Sequence, residues 1–323
     1  MIENIMEHIA EVTKKDPIEV RLANMNDMDK SVLEPMIKDL SNLTNCKIFI
    51  DNFNNYNRWK KKGIAILPMK YLITYEGQFD AMVSVCARDG SVCVLHSGIE
   101  IDQGINTKIA QIAARTLGID IQLISVKQSN NLTAPNKSTT GHSITTETCA
   151  YTSIQACTEI LDKLEPIRKK MKNPTWKALI FKAFKENIDL CTRKRHILTT
   201  KDGPTMNPVY GVTSAEVEID VLTGQHIIRR VDLMIDAGQS LNPEIDIGQV
   251  EGAFVMGIGY WTSEDLMYDP KTGILINDRT CNYNPPGVKD IPKDFRVYLC
   301  KNSVNANGIF GSKTIDEAPL CMS

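Results

Sequence analysis

Neither a Walker sequence nor a GxGxxG run occurs in the 323 residues, so the two commonest glycine-built nucleotide loops are not supported. Nine cysteines are present (Cys46, Cys86, Cys93, Cys149, Cys157, Cys191, Cys281, Cys300 and Cys321), yet no CxxC pair is among them. That spacing argues against a zinc or iron–sulfur site built within this segment, and an odd number of scattered thiols fits the reducing cytoplasm. Three Asn-x-Ser/Thr sequons, at Asn42, Asn131 and Asn136, then read as chance matches. Net charge is lacking as well: 37 basic and 39 acidic residues give −2 and a pI near 6.2. Neither nucleic acid nor an anionic membrane is an expected partner. The longest apolar run, 252–261, is too short to cross a bilayer.

What the chain does have is a core. At 42% hydrophobic and 24% charged residues it can fill one large domain or two ordinary ones. Helical periods are expected over 1–24, where Asp16-Pro17 marks a helix start, then over 30–40 and 53–62. The period then changes to alternation, which predicts antiparallel strands at 63–76, 81–87 and 91–96, with a turn at 87–90. A glycine-punctuated loop follows and feeds a helix opening near Asn106 or Thr107. Such a loop is a plausible anion site, because free amides and the helix dipole both favour negative charge.

A strand is expected at 120–126, an irregular loop at 128–143 and a long helix from Thr146. The basic residues between Arg168 and His196 read as the solvated side of an amphipathic helix, with Trp176, Ile180 and Phe184 at helical spacing. Two strands, 210–220 and 225–236, lead into the stretch 236–264; short strands are expected within 272–286 and at 295–299. Asn242-Pro243 is a strong helix start, since asparagine caps free amides and proline at the first position has no N–H to satisfy. Gly248, Gly252, Gly257 and Gly259 are costly in a helix, at up to about 1 kcal/mol each. Close approach of another backbone or a bulky ligand is the expected compensation.

The run DIGQVEGAFVMGIGYWTSE within 236–264 resembles the molybdenum hydroxylases, the xanthine dehydrogenase and aldehyde oxidase family. Residues 96–108 (HSGIEIDQGINTK) and the final GSKTIDEAPL are similar to its motifs without a gap, although Ser97, Asp102 and Asp316 replace glycines and Ala318 a proline. The resemblance implies an α/β fold of mixed sheets flanked by helices. Residues 1–45 would be the helical tail of the first molybdopterin-binding subdomain, and 46–323 the second subdomain, truncated at its C-terminus. It further implies hydroxylation of an aldehyde or heterocycle with water as the oxygen source. The cofactor implied is molybdenum-molybdopterin, with two 2Fe–2S clusters and FAD carried on domains absent here.

Carried over by position, Glu317 is the catalytic base, and Gln103 with Gly104 contacts the pterin. Gly141 and His142 present their backbone near molybdenum, which the pterin holds, so no side chain is expected as a direct metal ligand. Ile66 and Leu67 stand where purine oxidisers carry an aromatic residue and a threonine, which favours an aldehyde over xanthine. A cytoplasmic homodimer is implied for the full-length enzyme, and the fragment alone is expected to be inactive. The competing expectation is a catalytically inactive remnant or binding domain that keeps the fold; a purine dehydrogenase is a further alternative.

Overall fold

In the computed structural model, which describes residues 2–44, 47–198, 206–301, 303–315 and 317–322, the helix starts follow the capping residues. In chain order the elements are α1 (Ile2–Thr13), α2 (Pro17–Ala23), α3 (Asp27–Leu43), α4 (Lys47–Tyr56), β1 (Lys60–Thr74), β2 (Gly77–Val85), β3 (Val92–His96), α5 (Ile105–Leu117) and β4 (Ile124–Lys127). They continue with α6 (Thr145–Lys169), α7 (Trp176–Lys185), β5 (Cys191–Leu198), β6 (Met206–Asp220), β7 (His226–Ile235), α8 (Pro243–Thr262), β8 (Asp294–Leu299) and α9 (Glu317–Cys321). Asp16, Asn26, Thr175 and Asn242 each accept a hydrogen bond from an amide in the first turn of their helix.

The elements pack as two units. The first takes 1–72, 208–303 and 314–323, and holds the sheet β1-β6-β7-β8. Leu33, Met36, Ile37 and Leu40, at helical spacing on α3, bury one face against Tyr210 and Val212 of β6. β6 and β7 run antiparallel with a bulge at Glu216/Val217, and β8 lies parallel to β7. α8 places Phe254 against Phe295 of β8, with ring centroids 5.2 Å apart.

The second unit takes 73–207 and 304–313, and holds the sheet β4-β3-β2-β5. Phe79, Ala81 and Val83 alternate along β2 and are buried; Ile105, Ile109 and Ile112 of α5 and Cys157, Ile160 and Leu164 of α6 supply further buried apolar side chains. Both sheets are mixed and flanked by helices, as expected. Each contains an antiparallel and a parallel pairing, the parallel ones being β7 with β8 and β3 with β4.

Several expectations need correction. The fourth helix lies earlier than 53–62, because the Asn54 amide closes it: Oδ1 accepts the Lys62 N–H at 2.7 Å and Nδ2 donates to the Lys62 carbonyl at 2.8 Å. Lys60 to Lys62 are already strand. β1 does not join β2 and β3 but pairs with β6. The basic stretch is helical only through α7; residues 191–198 form β5 beside β2, where Arg193 and Arg195 both reach Asp80 Oδ1, at 3.2 and 3.1 Å. Within 272–286 there is an isolated bridge, Tyr268 to Leu275, rather than strands, and the 120–126 strand begins with a 3-10 turn at 121–123.

The α8 glycines divide. A Cβ on Gly259 would collide with the Glu264 carboxylate and come within 2.6 Å of Pro286 Cδ, while at Gly248 and Gly252 it would meet nothing. Close approach explains the former and leaves the exposed pair without a structural account. The expected boundary at 45/46 and Asp316 lie outside the described residues.

Candidate cofactor and catalytic site

β3 ends at His96 with its ring buried, and the two ring nitrogens shape the loop that follows. The Gly98 amide donates to Nδ1 at 3.2 Å, so the proton sits on Nε2, which faces Asn106 Oδ1 at 2.9 Å. Burial holds the imidazole pKa below its usual value, against the opposing pull of the Asn106 bond and the Glu100 charge. Ser97 is fully buried and its hydroxyl accepts the Asp80 amide at 2.9 Å. Gly98 has no room for a side chain, since a Cβ would stand 2.5 Å from Ile105 Cδ1 and 2.9 Å from Thr145 Cγ2.

Gln103 folds onto its own loop. Its Oε1 accepts the Ile101 amide at 2.7 Å and its Nε2 donates to the Ile99 carbonyl at 2.8 Å. A carboxamide has two N–H donors and two acceptor lone pairs, so this leaves one of each for a further partner. Asp102 has φ 73°, a left-handed backbone that aspartate tolerates better than most side chains, so the replacement of glycine keeps the turn. Gly104, at φ 69°, caps α5.

The anion site anticipated at α5 is taken by the chain itself. Glu100 Oε1 accepts the Gly104 amide at 2.9 Å and Oε2 the Asn106 amide at 3.1 Å. A carboxylate on those first amides satisfies both the orphan donors and the dipole.

The second loop reaches the first through Thr140, whose hydroxyl accepts the Ile99 amide at 3.0 Å. Gln103, Gly104, Gly141 and His142 therefore belong to one pair of loops. Gly141 is held by Thr145 Oγ1, 3.1 Å from its amide, and a Cβ there would meet nothing within 4 Å. His142 is exposed at φ 55°, and Ser143 follows at φ 50°. Two consecutive non-glycine residues in the left-handed region hold backbone strain of the kind that clusters at functional sites. Among the described residues no three His, Cys, Asp or Glu side chains gather into a metal site. What the loops offer instead is a spare amide on Gln103 and open space at Gly141, a donor set that fits a metal carried on an organic ligand.

The remaining candidates lie in the first unit. Glu317 opens α9 and is half-buried. Along β1, Ile66 packs against the α3 core, so by alternation Leu67, Met69 and Tyr71 occupy the opposite face. Burial raises the Tyr71 phenol pKa, and the charge of the Glu317 carboxylate raises it further. Ile66 itself is core-facing, and Leu67 is the residue of the pair left for a ligand.

Sequence reasoning missed Glu100, Tyr75, Glu147 and Lys313. Lys313 stood in view, within GSKT, but nothing local marks its partners.

A family model for the molybdopterin cofactor-binding domain matches residues 36–292. Xanthine dehydrogenase/oxidase of Gallus gallus is 39% identical over 289 residues, 86% of this chain and 21% of that protein. Aldehyde oxidase 3 of Rattus norvegicus is 36% identical over 329 residues, 94% of this chain and 24% of that protein. The solved structure of quinoline 2-oxidoreductase from Pseudomonas putida superposes with a TM-score of 0.83 at 17% identity, covering 98% of this chain and 46% of its own. The aldehyde oxidoreductase of Desulfovibrio desulfuricans gives 0.79 at 22%, covering 98% and 36%.

The chain belongs to the xanthine dehydrogenase and aldehyde oxidase family of molybdenum hydroxylases, as part of its molybdopterin-binding region. It spans about a fifth of the length of the xanthine dehydrogenase relatives it matches.

Proposed function

We propose that this chain is the cofactor-holding part of a molybdenum hydroxylase that converts aldehydes to carboxylic acids with oxygen from water. The observation that carries the reading is the loop pair joined by Ile99 and Thr140, within a chain matched over 36–292 by the cofactor-domain family. Gln103, through its remaining amide proton, with Gly104 and the backbone of Gly141 and His142, would hold molybdopterin. Bound there, the molybdenum that molybdopterin carries would supply the two-electron redox chemistry. Glu317 receives the proton released as water-derived oxygen adds to the substrate carbon, a role for a carboxylate within hydrogen-bond reach of substrate.

The substrate preference rests on Leu67. An aliphatic side chain on that strand face buries apolar surface but cannot stack on a purine as an aromatic ring does. An aldehyde is favoured over xanthine. The whole protein would bring two 2Fe–2S clusters and FAD from outside this chain, and act as a cytoplasmic homodimer. Residues 1–45 would belong to the first molybdopterin-binding subdomain and 46–323 to the second, a division by ancestry that differs from the packing units.

The test is Glu317→Gln in the full-length protein. The reductive step should slow by roughly 10²–10⁴-fold, as for a lost general base, with molybdenum content unchanged. Near-normal reduction at full metal content would remove Glu317 from the chemistry. Higher kcat/KM on xanthine than on benzaldehyde would reverse the substrate assignment.

A further inference from the structure

The Lys313 and Glu147 side chains carry full charges almost out of water, at 3% and 10% exposure. Withdrawing such a pair from solvent costs several kcal/mol per ion unless geometry and further hydrogen bonds offset it. The offsets are visible. The Lys313 ammonium lies 2.8 Å from Glu147 Oε2, donates to the Ser143 carbonyl, and stands 5.5 Å from the centre of the Tyr75 ring.

The same Glu147 oxygen accepts from the Tyr75 hydroxyl, whose pKa burial and then Glu147 push up, so the phenol keeps its proton. Asn207 Nδ2 reaches Tyr75 Oη at 3.4 Å, and Asn207 and Asn305 exchange hydrogen bonds of 3.1 Å. Glu147, Tyr75 and the Ser143 carbonyl thus meet the ammonium, and Asn207 and Asn305 extend the network behind the Tyr75 hydroxyl.

That ammonium ends on the carbonyl of the second left-handed residue. A non-glycine residue in this region is disfavoured by crowding of its Cβ, and His142 and Ser143 adopt it in succession. The turn therefore needs a fixed partner, and the Ser143 carbonyl has one in Lys313. We propose that Lys313 is a positioning residue: held by Glu147, it fixes the His142–Ser143 turn, and with it the backbone face that Gly141 and His142 present. That this face meets the cofactor rests on the proposed function above.

The amides of Gly141, bonded to Thr145 Oγ1, and Ile144, bonded to the Gly141 carbonyl at 3.4 Å, report the turn directly by hydrogen exchange. Lys313→Met leaves Glu147 buried without its cation and can fail to fold. The deciding variant is therefore the charge-free pair Lys313→Met with Glu147→Gln, made in the full-length protein. Its Gly141 and Ile144 amides should exchange at least ~10-fold faster than wild type, while the Val83 amide in β2 is unchanged. Lys313→Arg, which keeps a cation at the end of the side chain, should stay within ~3-fold of wild type at both amides.

Wild-type exchange at Gly141 and Ile144 in the folded pair would overturn the proposal, because Lys313 would then serve only to neutralise Glu147. Failure of the cofactor reading would look different. The two amides would quicken while molybdenum and pterin contents stayed at wild-type levels, which supports the positioning role and removes Gly141 and His142 from the cofactor site.

Discussion

Arg21 in the first unit and Lys313 in the second are both nearly buried cations, with 2% and 3% of their side chains exposed, and they are held in opposite ways. Arg21 pairs with Glu3 and Glu7, only 18 and 14 residues earlier, at 2.6 and 2.7 Å, and those carboxylates keep 32% and 40% of their side chains in solvent. It staples α2 to α1. Lys313 reaches the Ser143 carbonyl 170 residues away and a carboxylate that is itself buried. A cation with wet partners can be lost without stranding a charge; one with a dry partner cannot. The difference teaches that burial of the cation alone says little about its role, and that the solvent access of its partner says more.

The largest test of this comparison is a matched pair of substitutions. Lys313→Met should cost about 3–5 kcal/mol, because Glu147 is left buried and uncompensated. Arg21→Met should cost about 1 kcal/mol, since Glu3 and Glu7 can turn to water and methionine retains the apolar stem's packing. Denaturant titrations of the two variants give the difference directly. Equal costs would break the comparison.

A second contrast lies between two glycines of the loop pair. Gly98→Ala should destabilise by about 1–3 kcal/mol, as its Cβ would stand 2.5 Å from Ile105 Cδ1 and 3.3 Å from the His96 ring. Gly141→Ala meets open space and should leave stability unchanged or raise it by up to about 1 kcal/mol. If Gly141 faces the cofactor, the same substitution lowers pterin retention without loss of fold. A destabilised Gly141→Ala protein would mean that the open face is a support.

Much of this was legible in the residues. Asn242-Pro243 announced α8, Asp16-Pro17 announced α2, the glycine-punctuated loop before α5 followed from its residues, and the α/β class was implied by the family resemblance. The misreadings share a cause, which is that periodicity is local. Nothing in FNNYNRWKKK says that Asn54 will bond Lys62 and end the helix, and nothing in TRKRH says that Asp80, far away in sequence, will draw two arginines into an edge strand. Glu100 was hidden because a loop carboxylate looks like solvent-facing charge until the loop closes on its own helix start. Ile66 and Leu67 form one pair in the sequence motif, although strand alternation sends them to opposite faces.

The smallest expected effect compares how the units respond to acid. In the first, Asp29 accepts from Asn26 and Tyr210 and pairs with Lys70 at 2.8 Å; the Lys70 bond leads in holding its carboxyl pKa below the usual 3.8. A depressed carboxylate stabilises the fold above its unfolded pKa, and that stability is lost only as pH falls below about 4. In the second, burial depresses His96 below 6.5, so on acidification the unfolded chain takes a proton that the folded ring refuses. Stability from His96 is full above about pH 6.5 and declines from there downward. Protonation would also place a proton on Nδ1, where the Gly98 amide already donates. The second unit should therefore weaken first between about pH 6.5 and 5, seen as faster exchange of the Gly98 amide than of amides in α3. His96→Gln should flatten that dependence and leave the acid response of the first unit as it was. A steep loss of protection in α3 over the same interval, with Gly98 unchanged, would reverse the order of the two units.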